Sequence, residues 1–330
     1  MILFLFLAFK DVNVSQAFYK ISKISFTYLI VFIAVFFISH VLRALRWKVI
    51  LSSVKSDIKI KNLFGSTMIG YGVNCIVPRL GEIYRPSFLG KLEGLSRTAM
   101  FATIIVERVI DILFLGISVL VSISIYNGNL YAKFSWLNDS LWVGMLLMVF
   151  LILIILFVIK FKDKCKKLIL SPLTKISPRI AQRFEDIFHQ LVEGFATIKT
   201  KKQFFSVLLL TILIMLIYGL NSWIGFYMIG LHEFKSVSFE MAWVVMTISA
   251  FGIVIPTPGG TGSYHFLVIA ALSLYGVSST LSAAYAVLTH LISTILFIGS
   301  TFASVYFLNR SLPEKEKVNF INVFKMRTKN

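Results

Sequence analysis

Three ionisable residues within five positions, Glu107, Arg108 and Asp111, interrupt an otherwise apolar stretch and are the only charges between Ala99 and Tyr126. On a helix Glu107 and Asp111 are four apart and share a face, and Arg108 is three from Asp111 and can pair with it. A charge at the centre of a bilayer costs roughly 2.5–3.5 kcal/mol on insertion scales, so such a cluster must face protein or a wet cavity. Two uses are open: a site that holds a charged group, or a buried ion pair that locks helix packing.

A second set of charges lies in "VPRLGEIYR", with Pro78, Arg79, Gly81, Glu82 and Arg85. Pro and Gly break a helix and free backbone groups, which are tolerated at membrane depth only beside protein or water. Arg79 and Arg85 have the planar donor fork that suits a phosphate, and Glu82 can balance them or pair with Arg108. The plainer alternative is a cytoplasmic loop with scattered charges. Residues 255–266, "IPTPGGTGSYHF", place Pro256, Pro258, Gly259, Gly260 and Gly262 before a new helix start. Exposed backbone N–H groups at such a turn can bind an oxyanion. It is not a nucleotide-binding P-loop, because the required spacing and lysine are absent.

His290 and His265 are intramembrane candidates for proton relay or for neutral structural hydrogen bonds. Asn221 and Ser222 suit helix–helix contacts, and Arg43, Arg46 and Trp47 in "RALRW" read as an interfacial anchor. The five histidines and two cysteines show neither metal-site spacing nor a nucleophile–base pattern, so no metal, cofactor or enzymatic activity is expected. Cys75 and Cys165 offer no disulfide framework.

The elements that must position these residues are membrane helices. Of 330 residues, 57% are apolar and only 15% charged, against about a quarter charged in soluble proteins. Full spans are expected at 24–43, 99–125, 141–160, 204–230 and 280–308, with interrupted segments at 62–98 and 240–278. "MILFLFLAFK" is too short to span and reads as the remnant of a first helix.

The 33 Lys and Arg exceed the 15 Asp and Glu. Here the excess marks cytoplasmic loops rather than nucleic-acid binding. Residues 43–61 carry six basic residues against Asp57, residues 160–202 carry eleven against four acids, and the tail from Arg310 six against two. The connectors 126–140 and 231–239 hold one Lys and one acid each. The first group is expected inside and the second outside, with both termini cytoplasmic.

Segments 62–98 and 240–278 must then each enter and leave on one side, in opposite directions. "GLSRTAMFATIIVERVIDILF" (94–114) aligns without gaps to "GVSSTLSAAYAVLTHLISTIL" (276–296), placing His290 opposite Arg108. "IVPRLG" (76–81) follows onto "VIPTPG" (254–259) with a four-residue gap. Inverted repeats with broken helices mark secondary transporters. Residues 178–198 form an amphipathic helix suited to the cytoplasmic interface or to packing on neighbouring helix ends.

In this order and spacing, "RALRW", "VPRLGEIYR", "ERVIDILF" and "PTPGGTGSYH" resemble the transmembrane domain of the lysylphosphatidylglycerol synthases and of stand-alone, flippase-like membrane proteins. The resemblance covers about residues 24–308. It implies an all-α, polytopic bundle with two re-entrant hairpins of opposite orientation, occupying 1–312 (with the cytoplasmic loop 161–203) and followed by a basic tail, 313–330. It also implies lipid movement between leaflets of the plasma membrane. Arg79, Gly81, Glu82, Arg85, Glu107, Arg108, Pro256, Pro258, Gly259, Gly260 and Gly262 match the family's motif positions.

The chain ends at Asn330, so no aminoacyl-transferase domain is expected to follow, and His290 stands where many relatives carry Arg. Aminoacylated phosphatidylglycerol is therefore one candidate cargo among several. The expected function is passage of a phospholipid or polyprenyl-linked lipid with an anionic headgroup through a polar cavity. That cavity would be lined by Arg79, Glu82, Arg85, Glu107, Arg108, Asp111, Pro258, Gly259, Gly260, Gly262 and His290. The alternatives are a headgroup-modifying enzyme with Glu107 or Glu82 as base, and a scaffold binding a soluble partner through 161–203 and the tail.

Overall fold

The computed structural model describes residues 1–52, 54–126 and 200–310, with scattered positions between 146 and 188 and Lys317. Its elements are helical throughout, without a strand among the described residues. Helices α1 (Ile2–Phe9) and α2 (Val14–Ser22) precede the long α3 (Phe26–Leu51). Helices α4 (Ile60–Ile76), α5 (Gly81–Glu93) and α6 (Arg97–Ile125) follow. After the undescribed region come α7 (Lys201–Met228), α8 (Phe239–Val254), α9 (Ser263–Ser273) and α10 (Ser279–Asn309).

Local chemistry sets several of these boundaries. The side chains of Asn13, Thr200, Ser238 and Ser278 accept from backbone N–H groups in the first turns of α2, α7, α8 and α10, satisfying donors that the helix itself leaves free. Thr200 and Gln203 do so reciprocally. Between α3 and α4, the Lys55 ammonium donates to Glu93 (2.8 Å), which holds it protonated above its ordinary range. Asn62 donates to the same carboxylate, so the loop is clasped to the end of α5.

Helices α3, α7 and α10 are long and apolar enough to cross a bilayer. With 29 residues, α6 is about 43 Å long despite its three charges. At the N-terminus, Ile2–Phe9 and Val14–Ser22 are two short helices bent by 87° that together meet the length of a span. The expected span at 141–160 and the amphipathic helix at 178–198 lie, scattered positions apart, outside the described residues.

Both interrupted segments are helix–turn–helix hairpins, α4–α5 and α8–α9. Each is pinched where two backbones touch. A side chain on Gly81 would overlap the Gly70 carbonyl, and one on Gly252 would come within 2.7–2.9 Å of the Ser263–Tyr264 backbone. These touching positions are eleven residues apart in the first hairpin and eleven to twelve in the second. The second half repeats the first at a fixed interval of 182 residues: α5 and α9 open at Gly81 and Ser263, and α6 and α10 at Arg97 and Ser279. The connecting turns contain Gly94 and Gly276, both with positive φ (66° and 70°). The four-residue gap of the sequence alignment falls in the second turn, 255–262, against 77–80 in the first.

The hairpin tips meet. A Cβ on Gly259 would lie 3.4 Å from the Cα of Cys75, the penultimate residue of α4. The main apolar core lies in the second half, where Ile224, Phe226, Val245, Leu272 and Leu288 interlock α7 to α10.

Candidate functional site

Six charged side chains from three helices converge inside the bundle. Arg43 and Arg46 come from α3, Arg85 from α5, and Glu107, Arg108 and Asp111 from α6. Glu107 has 0% side-chain exposure, as has Arg46, and Arg43 and Arg85 are buried. The Glu107 carboxylate is within 2.9 Å of Arg43, 3.0 Å of Arg85 and 3.3 Å of both Arg46 and Arg108. Asp111 pairs with Arg43 at 2.8 Å, Arg108 at 2.9 Å and, closely, Arg46.

Four guanidinium groups therefore share two carboxylates. Removing ions from water costs several kcal/mol each, so a cluster this dense needs further partners for its donors. Arg43 donates to the Tyr218 hydroxyl at 3.0 Å and Arg46 to Thr211 at 3.1 Å, both on α7. The Arg85 guanidinium sits 4.0 Å from the Trp47 ring centroid, and the Trp47 indole N–H donates to Thr103 at 2.9 Å. These contacts tie α3, α5, α6 and α7 around one polar centre with a formal excess of two positive charges.

The interfacial-anchor reading of "RALRW" is overturned. Arg43, Arg46 and Trp47 are buried, and the two arginines supply half of the cluster's guanidinium groups. Their spacing of three and four along α3 puts all three on one face, and that face meets α6. The spacing was visible in the sequence; the buried setting depends on α6 and α7 and was not.

The cluster borders a small, partly open recess of about 30 Å³ lined by Thr67, Gly70, Tyr71, Asn74, Gly81, Glu82, Arg85, Ile104 and Arg108. Arg108 has 34% side-chain exposure, the highest of the six charged members. The Nε atoms of all four arginines, Arg43, Arg46, Arg85 and Arg108, are buried without a hydrogen-bond partner among the described residues. Pro86 sits inside α5 and lacks the N–H that would bond the Glu82 carbonyl, so the helix is loosened beside the recess. Asn74 accepts from the Gly81 N–H at 2.7 Å and fixes the start of α5.

Of the residues expected at one cavity, Glu82, Arg85, Glu107, Arg108 and Asp111 are brought together. Arg79 lies exposed on the first turn with φ 63°, a left-handed conformation that costs a non-glycine residue energy. Pro258, Gly259, Gly260, Gly262 and His290 form a second, uncharged centre at the other hairpin tip. There His290 Nε2 is 3.0 Å from the Gly259 carbonyl, and the His265 and His290 ring centroids are 4.7 Å apart. The Gly262 N–H donates to His265 Nδ1 at 3.3 Å, and the Tyr264 and Thr289 hydroxyls are 3.0 Å apart. Backbone N–H groups of this turn are partly spent internally, with Gly260 donating to Thr257 and Thr261 to Pro258.

A family model described as "Lysylphosphatidylglycerol synthase TM region" matches residues 1–299. A "UPF0104 membrane protein" of Methanothermobacter thermautotrophicus is 25% identical over 299 residues, covering 87% of each chain. A second UPF0104 membrane protein, from Methanocaldococcus jannaschii, is 25% identical over 304 residues, covering 87% of this chain and 86% of its own. No solved structure matches.

Proposed function

The chain belongs to the lysylphosphatidylglycerol synthase TM region family, and on that premise we propose that this membrane protein moves a lipid with an anionic headgroup between leaflets. One observation carries the reading: three buried guanidinium groups and a half-buried fourth share only two carboxylates and border a recess. A purely structural network would be expected to match its charges, because an uncompensated buried ion is costly. Here the surplus faces the recess, where a phosphate can complete the balance through Arg108 and Arg85, the two arginines that line it.

The physical role is solvent replacement. Fixed donors substitute for the water that a phosphate loses on leaving the interface, while acyl chains stay in the bilayer. The cargo class is a phospholipid or a polyprenyl-linked lipid, and the membrane is the plasma membrane. The two hairpins are read as re-entrant from opposite sides, with tips that meet at Cys75 and Gly259. The protein is read as a non-enzyme, and of the two carboxylates considered as a base, Glu107 is held by four arginines.

Vesicle reconstitution tests the reading. Wild-type protein is expected to bring a fluorescent phosphatidylglycerol from the inner to the outer leaflet, where an impermeant reductant bleaches it. Arg108→Gln is expected to slow that movement at least tenfold, since the side chain is partly exposed and its loss leaves the Arg43, Arg46 and Arg85 contacts standing. Transport by correctly folded Arg108→Gln at the wild-type rate contradicts the proposal.

A further inference from the structure

Among the acidic side chains of this centre, Glu82 stands apart. Glu107 and Asp111 are each gripped by three or more guanidinium groups. Glu82, in the first turn of α5, is half-buried and lines the recess, yet its carboxylate makes no hydrogen bond or ion pair with any described residue. Facing it across the recess are Thr67, Tyr71 and Asn74 from α4, Arg85 from its own helix and Arg108 from α6. Arg43 and Arg46 lie behind Arg85 and Arg108, engaged with the two other carboxylates.

The ion pairs of the four arginines are all made with Glu107 and Asp111, so none depends on this carboxylate. It matters when a phosphate arrives. A phosphodiester and an ionised Glu82 in one recess of low dielectric are two anions competing for the same two arginines, and like charges so placed favour protonation of one of them. The phosphodiester keeps its charge at any physiological pH, so the proton must go to Glu82.

We propose that Glu82 is the proton-coupling residue of this site, taking up one proton from water as an anionic headgroup docks against Arg85 and Arg108. The inference rests on the headgroup reading given above. In the balanced step, H⁺ adds to a Glu82 carboxylate oxygen and no bond in the lipid breaks. The loaded unit is one phosphodiester anion plus one proton and so carries no net charge. Movement is then driven by a pH difference and is indifferent to membrane potential. By linkage, proton and headgroup strengthen each other's binding by the same factor.

Titration calorimetry with the full chain in detergent and short-chain dihexanoyl phosphatidylglycerol tests this. Measurement in two buffers of different ionisation enthalpy counts the protons taken up. Wild-type protein is expected to absorb close to one proton per lipid, with affinity rising as pH falls. Glu82→Gln is expected to bind the lipid with no proton uptake and a flat pH profile. Wild-type binding without proton uptake overturns the coupling and leaves the headgroup site standing. Proton uptake that persists in Glu82→Gln assigns the proton elsewhere and also overturns it. If wild-type protein gives no binding heat at any pH, the headgroup reading fails and the coupling fails with it.

Discussion

Glu107 is the residue on which the polar centre turns, because four arginines lie within 3.3 Å of its carboxylate. Neutralising it by Glu107→Gln leaves four guanidinium groups, three of them buried, against Asp111 alone. Breaking a buried pair in this way typically costs about 3–5 kcal/mol. The expected outcome is a large fall in the detergent unfolding temperature, and an unchanged temperature would place the cluster in water rather than in the protein interior. Lys91→Ala, at an exposed position on the last turn of α5, is expected to leave that temperature unchanged. The charges on α6 were legible in the sequence because nothing around them is polar. Arg43 and Arg46 were not, because they lie toward the end of an apolar run and are followed by Lys48, Lys55, Lys59 and Lys61. Nothing local separates a snorkelling arginine from one that pairs with a carboxylate 64 positions away.

At the scale of elements, the hairpins owe their shape to close backbone approach. The Gly81 position is filled by the Gly70 carbonyl, so Gly81→Ala must push α4 and α5 apart and is expected to destabilise the protein by about 3 kcal/mol. Gly299, in α10, would have nothing within 4 Å of a methyl group added to it, so Gly299→Ala is expected to be neutral or slightly stabilising. Thermal unfolding of the two variants side by side checks the claim, and equal effects would contradict it. The Pro and Gly clusters announced both hairpins in the sequence, since a helix cannot run through "VPRLG" or "PTPGG" undisturbed. They did not announce that the second turn would satisfy so many of its own donors, or that its tip would hold His265 and His290 apart from the arginines. That outcome depends on four additional residues between α8 and α9, whose path only packing against α4 and α1 decides.

For the whole molecule, the arrangement of two hairpins with touching tips has a sidedness that can be measured. Lys91 and Lys235 are both exposed and lie at the outer ends of different halves. In a cysteine-less background, Cys at position 91 is expected to react with an impermeant thiol reagent only from the cytoplasmic side, and Cys at 235 only from outside. Labelling of both from one side would contradict opposite hairpin orientations. Arg85, although in the same basic stretch as Lys91, is buried and is no reporter of topology.

The central claim is that an anionic headgroup occupies the recess between α4, α5 and α6. A phosphatidylglycerol analogue carrying a photoreactive diazirine on its headgroup tests it most directly, by irradiation in vesicles and mass spectrometry of the labelled peptides. Adducts are expected at Tyr71, Asn74 and Ile104, which line the recess, and excess unmodified phosphatidylglycerol should suppress them. Adducts confined to exposed apolar positions such as Leu291, Ile295 and Phe302, with the recess unlabelled, would contradict it.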